Sequence, residues 1–413
     1  MTDILPYLTA SLGGIGGRIK QRVEDFRVDE QPLYQPCGEG THIYFRIEKR
    51  GIPTPVALGR LARHMGVRPG DIGLAGLKDA VGITTQYLSL EHCDQARLAS
   101  YADAQLRVIW TGRHTNKLKT GHLAGNRFAI RIRDVAAESP LDQARAILDV
   151  LAARGVPNYF GSQRFGARGD TAALGRAIIS GDLERFVSLF LGGPRSSDPP
   201  DCRAARDEFD VGAWDKALKH WPRHYVDQRK ALAAYKKKRR PHQALAAVDK
   251  RMKRLYVSAA QSEIFNTVLA RRLDSIDTLY PGDLACKHDT GGVFLVEDVQ
   301  AELPRAQAGL LSPTGPLPGY RAKLASGEPG LVEREIIDAA GLDLEQFRNL
   351  GPLKAKGTRR PLRFILGEPG ISAGQDGHGD YIELAFTAPS GCYATVVVEE
   401  ICKNRKPYTV NDE

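Results

Sequence analysis

Gly73-Leu74-Ala75-Gly76-Leu77-Lys78-Asp79-Ala80-Val81-Gly82-Ile83-Thr84-Thr85-Gln86 carries a Lys-Asp pair through a run of small residues and into a strand. Glycine and alanine let the backbone turn tightly and approach a neighbour closely. The polar pair sits at the turn, and Gln86 to Leu90 then reads as a short strand. On residue chemistry alone, Asp79 reads first as a turn former or ion-pair partner and only second as a catalytic carboxylate.

Upstream, Thr41 to Lys49 alternates Ile43, Phe45 and Ile47 against Tyr44, Arg46 and Glu48, the pattern of a half-buried strand. Thr54-Pro55 opens a helix with Leu58, Leu61, Ala62 and Met65 on one face, and Gly66 stops it. Downstream, Arg107 to Trp110 is a short strand. Arg127 to Arg133 is a clearer one, with Phe128, Ile130 and Ile132 inward and Arg127, Arg131 and Arg133 on a solvated outer face. Ser139-Pro140 begins a second helix that ends before Gly155.

Further helices are expected at Leu183 to Leu191 and at Ala259 to Leu273, the latter opened by a capping box of Ser258 and Gln261. Tyr381 to Thr387 and Ala394 to Ile401 read as strands flanking a turn at Pro389-Ser390-Gly391. Loops are expected at 192–201, 312–319, 351–352 and 367–380. Strand-rich ends enclose a more helical middle, which implies an α+β protein with an inserted domain.

The chain has 413 residues, enough for two domains. Its 42% hydrophobic and 26% charged residues are ordinary globular values, so disorder is excluded. Lys and Arg total 58 against 49 acids, a net charge of +9 that favours polyanionic partners. The densest cluster is Lys236 to Arg240, preceded by Arg229 and Lys230. It reads equally as a solvated helix face or as an arm that contacts phosphates without reading sequence. Six scattered cysteines form no CxxC, and the ten histidines form no HExxH, so no disulfide framework and no metal is expected. Gly13 to Gly17 is a flexible loop rather than a dinucleotide fingerprint, and no Walker A sequence is present. The residues from Met1 lack the order of a secretion signal, and no apolar run is long enough to span a bilayer. A cytoplasmic protein is expected.

The segment around Lys78-Asp79 resembles the catalytic motif of the TruD pseudouridine synthases, A-G-x-K-D followed by T-x-Q. Other blocks match in order. Lys20 with Val23-Glu24-Asp25-Phe26-Arg27-Val28-Asp29-Glu30 is similar to the family's N-terminal block, and Gly38 to His42 to its G-E-G-x-H. Arg113 to Phe128 resembles R-H-x-x-K-L ending in G-N-x-F, and Asn158 to Gly166 the signature N-Y-F-G-x-Q-R-F-G. Ser312 to Leu317 and Ser390 to Thr395 match later blocks.

The resemblance implies a discontinuous mixed-sheet catalytic domain, residues 1–153 and 350–413, with an inserted RNA-binding domain of α+β type at 154–349. It implies an isomerase that needs no cofactor and acts on transfer RNA, with uridine 13 as the family's usual target and other structured RNA as an alternative substrate. No obligate protein partner is implied, and a monomer is expected. The family's catalytic carboxylate falls on Asp79 and its companion cation on Lys20. Phe26, Asn126 and Tyr393 fall around a flipped uridine, Tyr393 standing where the family commonly has Phe. The carboxylate has three routes open: attack at C1′, addition at C6, or removal of the 2′ proton. Tyr159, Phe160 and Phe165 read as structural aromatics rather than an RNA stacking surface.

Two rivals remain at this point. A catalytically silent RNA-binding protein on the same scaffold would not need the intact Gly76-Leu77-Lys78-Asp79 element. A methyltransferase would carry a glycine-rich cofactor loop after a strand, and none is found.

Overall fold

The computed structural model describes residues 5–404 and divides the chain into two compact units. One holds Tyr7–Val156 and the described residues from Phe364 on; the other holds Pro157–Arg363 and the described residues before Tyr7. Residues 350–363, expected with the first unit, thus belong to the second.

The first unit is built on a nine-stranded sheet. Its strands are β1 (Gly16–Arg18), β2 (Phe26–Pro32), β3 (His42–Arg50), β4 (Gly73–Leu74), β5 (Ile83–Glu91), β6 (Leu106–His114), β7 (Leu123–Val135), β8 (Gly367–Asp376) and β9 (Gly379–Pro389). The order is β8-β9-β7-β2-β5-β3-β6, with β1 on β7 and β4 on β5. Only β2 and β5 run parallel, which makes the sheet mixed. On the expected inner face of β3, Ile43, Phe45 and Ile47 are buried with Leu88 and Leu90 of β5 against Leu58 and Leu61 of helix Thr54–Met65. Tyr44, expected on the open face, is also buried, with Ala75 and Leu118. Gly66 ends that helix at φ 74°, a left-handed conformation that glycine adopts without steric cost.

The second unit pairs a four-stranded antiparallel sheet, Val293–Leu295, Leu284–Lys287, Leu311–Leu317 and Thr358–Pro361 in that order, with a larger set of helices. The molecule is therefore α+β in both units. Tyr159 and Phe160 are buried within this unit. Asn266 fixes the Phe160 backbone by accepting from its N–H (2.9 Å) and donating to its carbonyl (3.0 Å).

Several sequence expectations are corrected. Ala394–Cys402 is a helix, not a strand. Its β-branched run favours extended structure locally, but burying Val396, Val397, Val398, Ile401 and Cys402 outweighs that preference. The loops expected at 312–319 and 367–380 contain strands: Leu311–Leu317 is buried, and β8 forms a hairpin with β9. The Ser258–Gln261 capping box does not form. The helix instead starts at Lys250, where Asp249 accepts from the Arg251 N–H at 2.7 Å, and it runs through Ser258 to Arg271. Gly16 and Gly17, read as loop, lie in β1.

Arg131 and Arg133 do not sit on a solvated face. Arg133 is 3% exposed and bonds Asp25 at 2.8 Å and Asp376 at 2.6 Å, while Arg131 bonds Glu383 at 3.0 Å. Only Arg127 of the three is exposed. Distant acids, invisible to local periodicity, draw the other two inward.

Candidate active site

The loop between β4 and β5 is held from beneath by buried polar groups. Thr54, the first residue of its helix and fully buried, accepts from the Lys78 N–H at 3.0 Å. Its hydroxyl also donates to Gln86 Oε1 at 3.0 Å, and Gln86 Nε2 donates to the Gly76 carbonyl at 3.4 Å. Lys78 points inward and pairs with Glu30 at 2.5 Å, both side chains almost completely buried. Glu30 Oε1 also accepts from the Tyr87 N–H at 3.0 Å. Of the Lys78-Asp79 pair, then, only the aspartate reaches solvent.

Asp79 is placed by two lysines. Lys49, 0% exposed, donates from Nζ to the backbone carbonyls of Ile52 (2.8 Å) and Asp79 (2.5 Å). Burial pushes the Lys49 ammonium down to about 8; the Asp79 charge opposes that fall and the Lys78 charge adds to it. Lys20 lies on the carboxylate side, with Nζ 3.3 Å from Asp79 Oδ1. The Asp79 side chain is 45% exposed and that of Lys20 15%, so the carboxylate is paired yet still open to an incoming group. Lys20 has φ 58°, a left-handed conformation rarely adopted by a residue with a Cβ. Such strain concentrates at functional sites.

Phe26 starts β2 and is 2% exposed; Lys20 Nζ sits 4.1 Å above its ring centroid. Its ring lies 6.3 Å from that of Phe128. The ring is a floor under the Lys20–Asp79 pair rather than a free stacking face. Asn126 in β7 lies opposite Glu30 of β2 and Ala388 of β9. Its Oδ1 is buried and has no hydrogen-bond partner among the described residues. Tyr393, half-buried, is the N-cap of helix Ala394–Cys402. The turn before it is tied to β7 by the Ser390 N–H, which donates to Ala124 at 3.0 Å.

All five expected site residues thus fall in the sheet unit. Lys20 touches both Asp79 and Phe26. Asn126 is linked to them through Glu30 and Lys78, and Tyr393 sits at the β7–β9 end that carries Asn126. The positioning residues Lys49, Thr54, Gln86 and Glu30 were missed as such. Lys49 had a signal: it is in phase with Ile43, Phe45 and Ile47, where a lysine marks a buried charge. Glu30 shares the phase of Phe26 and Val28 in the same way. Among the described residues, no group of His, Cys, Asp or Glu is arranged to hold a metal ion, and no helix is long and apolar enough to cross a membrane.

A half-exposed carboxylate with a lysine at its side, on a loop locked from below, makes this the candidate active site. A family model for tRNA pseudouridine synthase D (TruD) matches residues 3–401. Relatives bearing the name tRNA pseudouridine synthase D include that of Geobacter metallireducens, 44% identical over 402 residues, covering 97% of this chain and 98% of its own. The one from Geobacter sulfurreducens is 45% identical over 400 residues, with 96% of each chain covered. The crystal structure of the putative tRNA pseudouridine synthase D from Methanosarcina mazei is similar with a TM-score of 0.84 and 30% identity, over 97% of this chain and 96% of that one. The chain belongs to the TruD family of tRNA pseudouridine synthases, which are isomerases.

Proposed function

We propose that this chain converts uridine to pseudouridine in transfer RNA, with uridine 13 as target and Asp79 as the catalytic carboxylate. The observation that carries the reading is the Lys20–Asp79 pair, 3.3 Å apart with the carboxylate still half-exposed. The reaction breaks the N1–C1′ bond, turns the base and rejoins it through C5; the C5 proton leaves and N1 gains one. No net oxidation occurs. Three routes are open to the carboxylate: attack at C1′, addition at C6 or removal of the 2′ proton.

Reaching a paired base requires extruding it, which costs a few kcal/mol of unstacking (order of magnitude). Tyr393 offers an aromatic face to recover part of that cost. Asn126 Oδ1, buried without a partner, is an acceptor for the uracil N3–H or a ribose hydroxyl. Phe26 supports Lys20 from below. The enzyme acts as a monomer in the cytoplasm, and the insertion contributes RNA binding.

The test is to map pseudouridines in transfer RNA from cells with and without the gene. Loss of the modification at uridine 13 supports the target; an unchanged map contradicts it.

A further inference from the structure

The chain's positive excess is not spread over its surface. Between Lys216 and Arg254 there are 14 lysines and arginines and only two acids, Asp227 and Asp249; the rest of the chain holds 44 basic against 47 acidic residues. These 39 residues fold as helices Trp214–His220, Val226–Lys238 and Pro241–Ala247 and the first turn of Lys250–Arg271. Their excess of 12 positive charges is larger than the net +9 of the protein, the remainder being slightly acidic.

Their framework is fixed by aromatic packing, which leaves most of the cations outside. Trp214 packs on Tyr235 (5.5 Å) and Phe209 (6.4 Å), and Trp221 is buried beneath Arg206 (5.1 Å). A few cations are committed to this framework. Arg229 donates to the carbonyls of Leu218 (2.8 Å) and Trp221 (2.7 Å), Lys236 pairs with Asp215, and Arg239 lies over Trp214. Lys230, Lys237, Lys238, Arg240, Arg251 and Arg254 are exposed and make no ion pair among the described residues. A helix C-terminus attracts cations, which accounts for Lys237 and Lys238, but not for Lys230, Arg251 or Arg254.

We propose that this three-helix segment is a docking surface for the phosphodiester backbone of folded RNA. It binds by charge, without reading bases, and supplies most of the salt-sensitive part of the enzyme's RNA affinity. The partner follows from the surface chemistry. Helix Val226–Lys238 buries only Ala231 and Leu232, and its exposed side carries no continuous apolar stripe to enter a lipid interface. Repeating phosphates match closely spaced, unpaired cations. The choice of RNA rests on the function proposed above.

The test compares the full-length protein with the Lys237→Gln, Lys238→Gln, Arg240→Gln triple variant, in which no framework contact is altered. Binding of an unmodified transfer RNA transcript is followed by fluorescence anisotropy between about 50 and 300 mM KCl, and single-turnover conversion is measured at saturating enzyme. The proposal expects affinity to fall about 10-fold near 100 mM salt and the log–log salt slope to become shallower by about 2, each lost phosphate contact contributing somewhat under one unit. The rate at saturation stays unchanged. Equal affinity and slope in both proteins would overturn the proposal. So would binding to phosphatidylserine vesicles that is tighter than to RNA and lost in the triple variant. A wild type that binds the transcript with the expected salt slope yet forms no pseudouridine would sink the isomerase reading and leave this surface standing.

Discussion

The ammonium of Lys49, sealed from solvent at the end of β3, donates to the backbone carbonyl of Asp79. It therefore holds Asp79 by its main chain, while Lys20 holds it by its side chain.

This arrangement has a pH signature. The folded-state value of Lys49 is about 8, against 10.5 when unperturbed. Below pH 8 the group is charged in both states, and its burial opposes folding by on the order of 3 kcal/mol. Between about 8 and 10.5 the unfolded chain binds a proton that the folded chain lacks, so this group makes stability rise with pH. Denaturant midpoints at pH 7.5 and 9.5 should show that rise in wild type and not in Lys49→Met. The substitution relieves the charge burial but leaves the Ile52 and Asp79 carbonyls unpaired, at about 1–3 kcal/mol each, so its net effect on stability at neutral pH is modest. Turnover should nevertheless drop about 10-fold with RNA affinity unchanged, because the loop backbone loses its anchor. Equal turnover in the two proteins removes Lys49 from the site.

Lys20 separates stability from activity in the opposite way. Its left-handed backbone disfavours any residue with a Cβ, and its ion pair with Asp79 is partly exposed and contributes little to folding. Lys20→Gly should melt no lower than wild type, gaining up to about 1 kcal/mol from the relaxed backbone. Its conversion rate should fall by about 10- to 100-fold. A protein that loses stability and keeps its rate contradicts the assignment.

The Asp25–Arg133–Asp376 cluster is structural. Arg133→Met leaves the fully buried Asp25 without its cation, at a cost of about 3–5 kcal/mol. Calorimetry should register this as a transition lowered by roughly 10 °C. The Asp376 carboxyl, which accepts from the Arg133 guanidinium, is held well below the usual carboxylate range. Its contribution is present above the unfolded value near 3.8 and is lost as the pH falls below that. Arg133→Met should therefore show weaker acid sensitivity between about pH 4 and 2 than wild type.

Much of this was legible in the residues, and the misses have physical causes. The inner face of β3 and the Gly66 stop survive in the structure because burial and backbone sterics act locally there. Tyr44, by contrast, is buried on the other face by Ala75 and Leu118, which the local pattern does not show. Ala394–Cys402 was misread because β-branched residues favour strands only where no buried face awaits a helix. Arg131 and Arg133 were placed outside because their acid partners are distant in sequence: Asp25 lies more than 100 residues before Arg133, and Asp376 and Glu383 more than 200 after. In the site, Asp79 and Lys20 could be named only through the family blocks. Lys49 was open to view as a lysine in an apolar phase of β3.

The central claim is that the Asp79 carboxylate performs the chemistry. Conversion of an unmodified transfer RNA transcript should be compared between wild type and Asp79→Asn, at concentrations that saturate binding in both. The isosteric amide should bind the RNA as tightly and form pseudouridine at least about 10³-fold more slowly. Equal conversion by the two proteins contradicts the account.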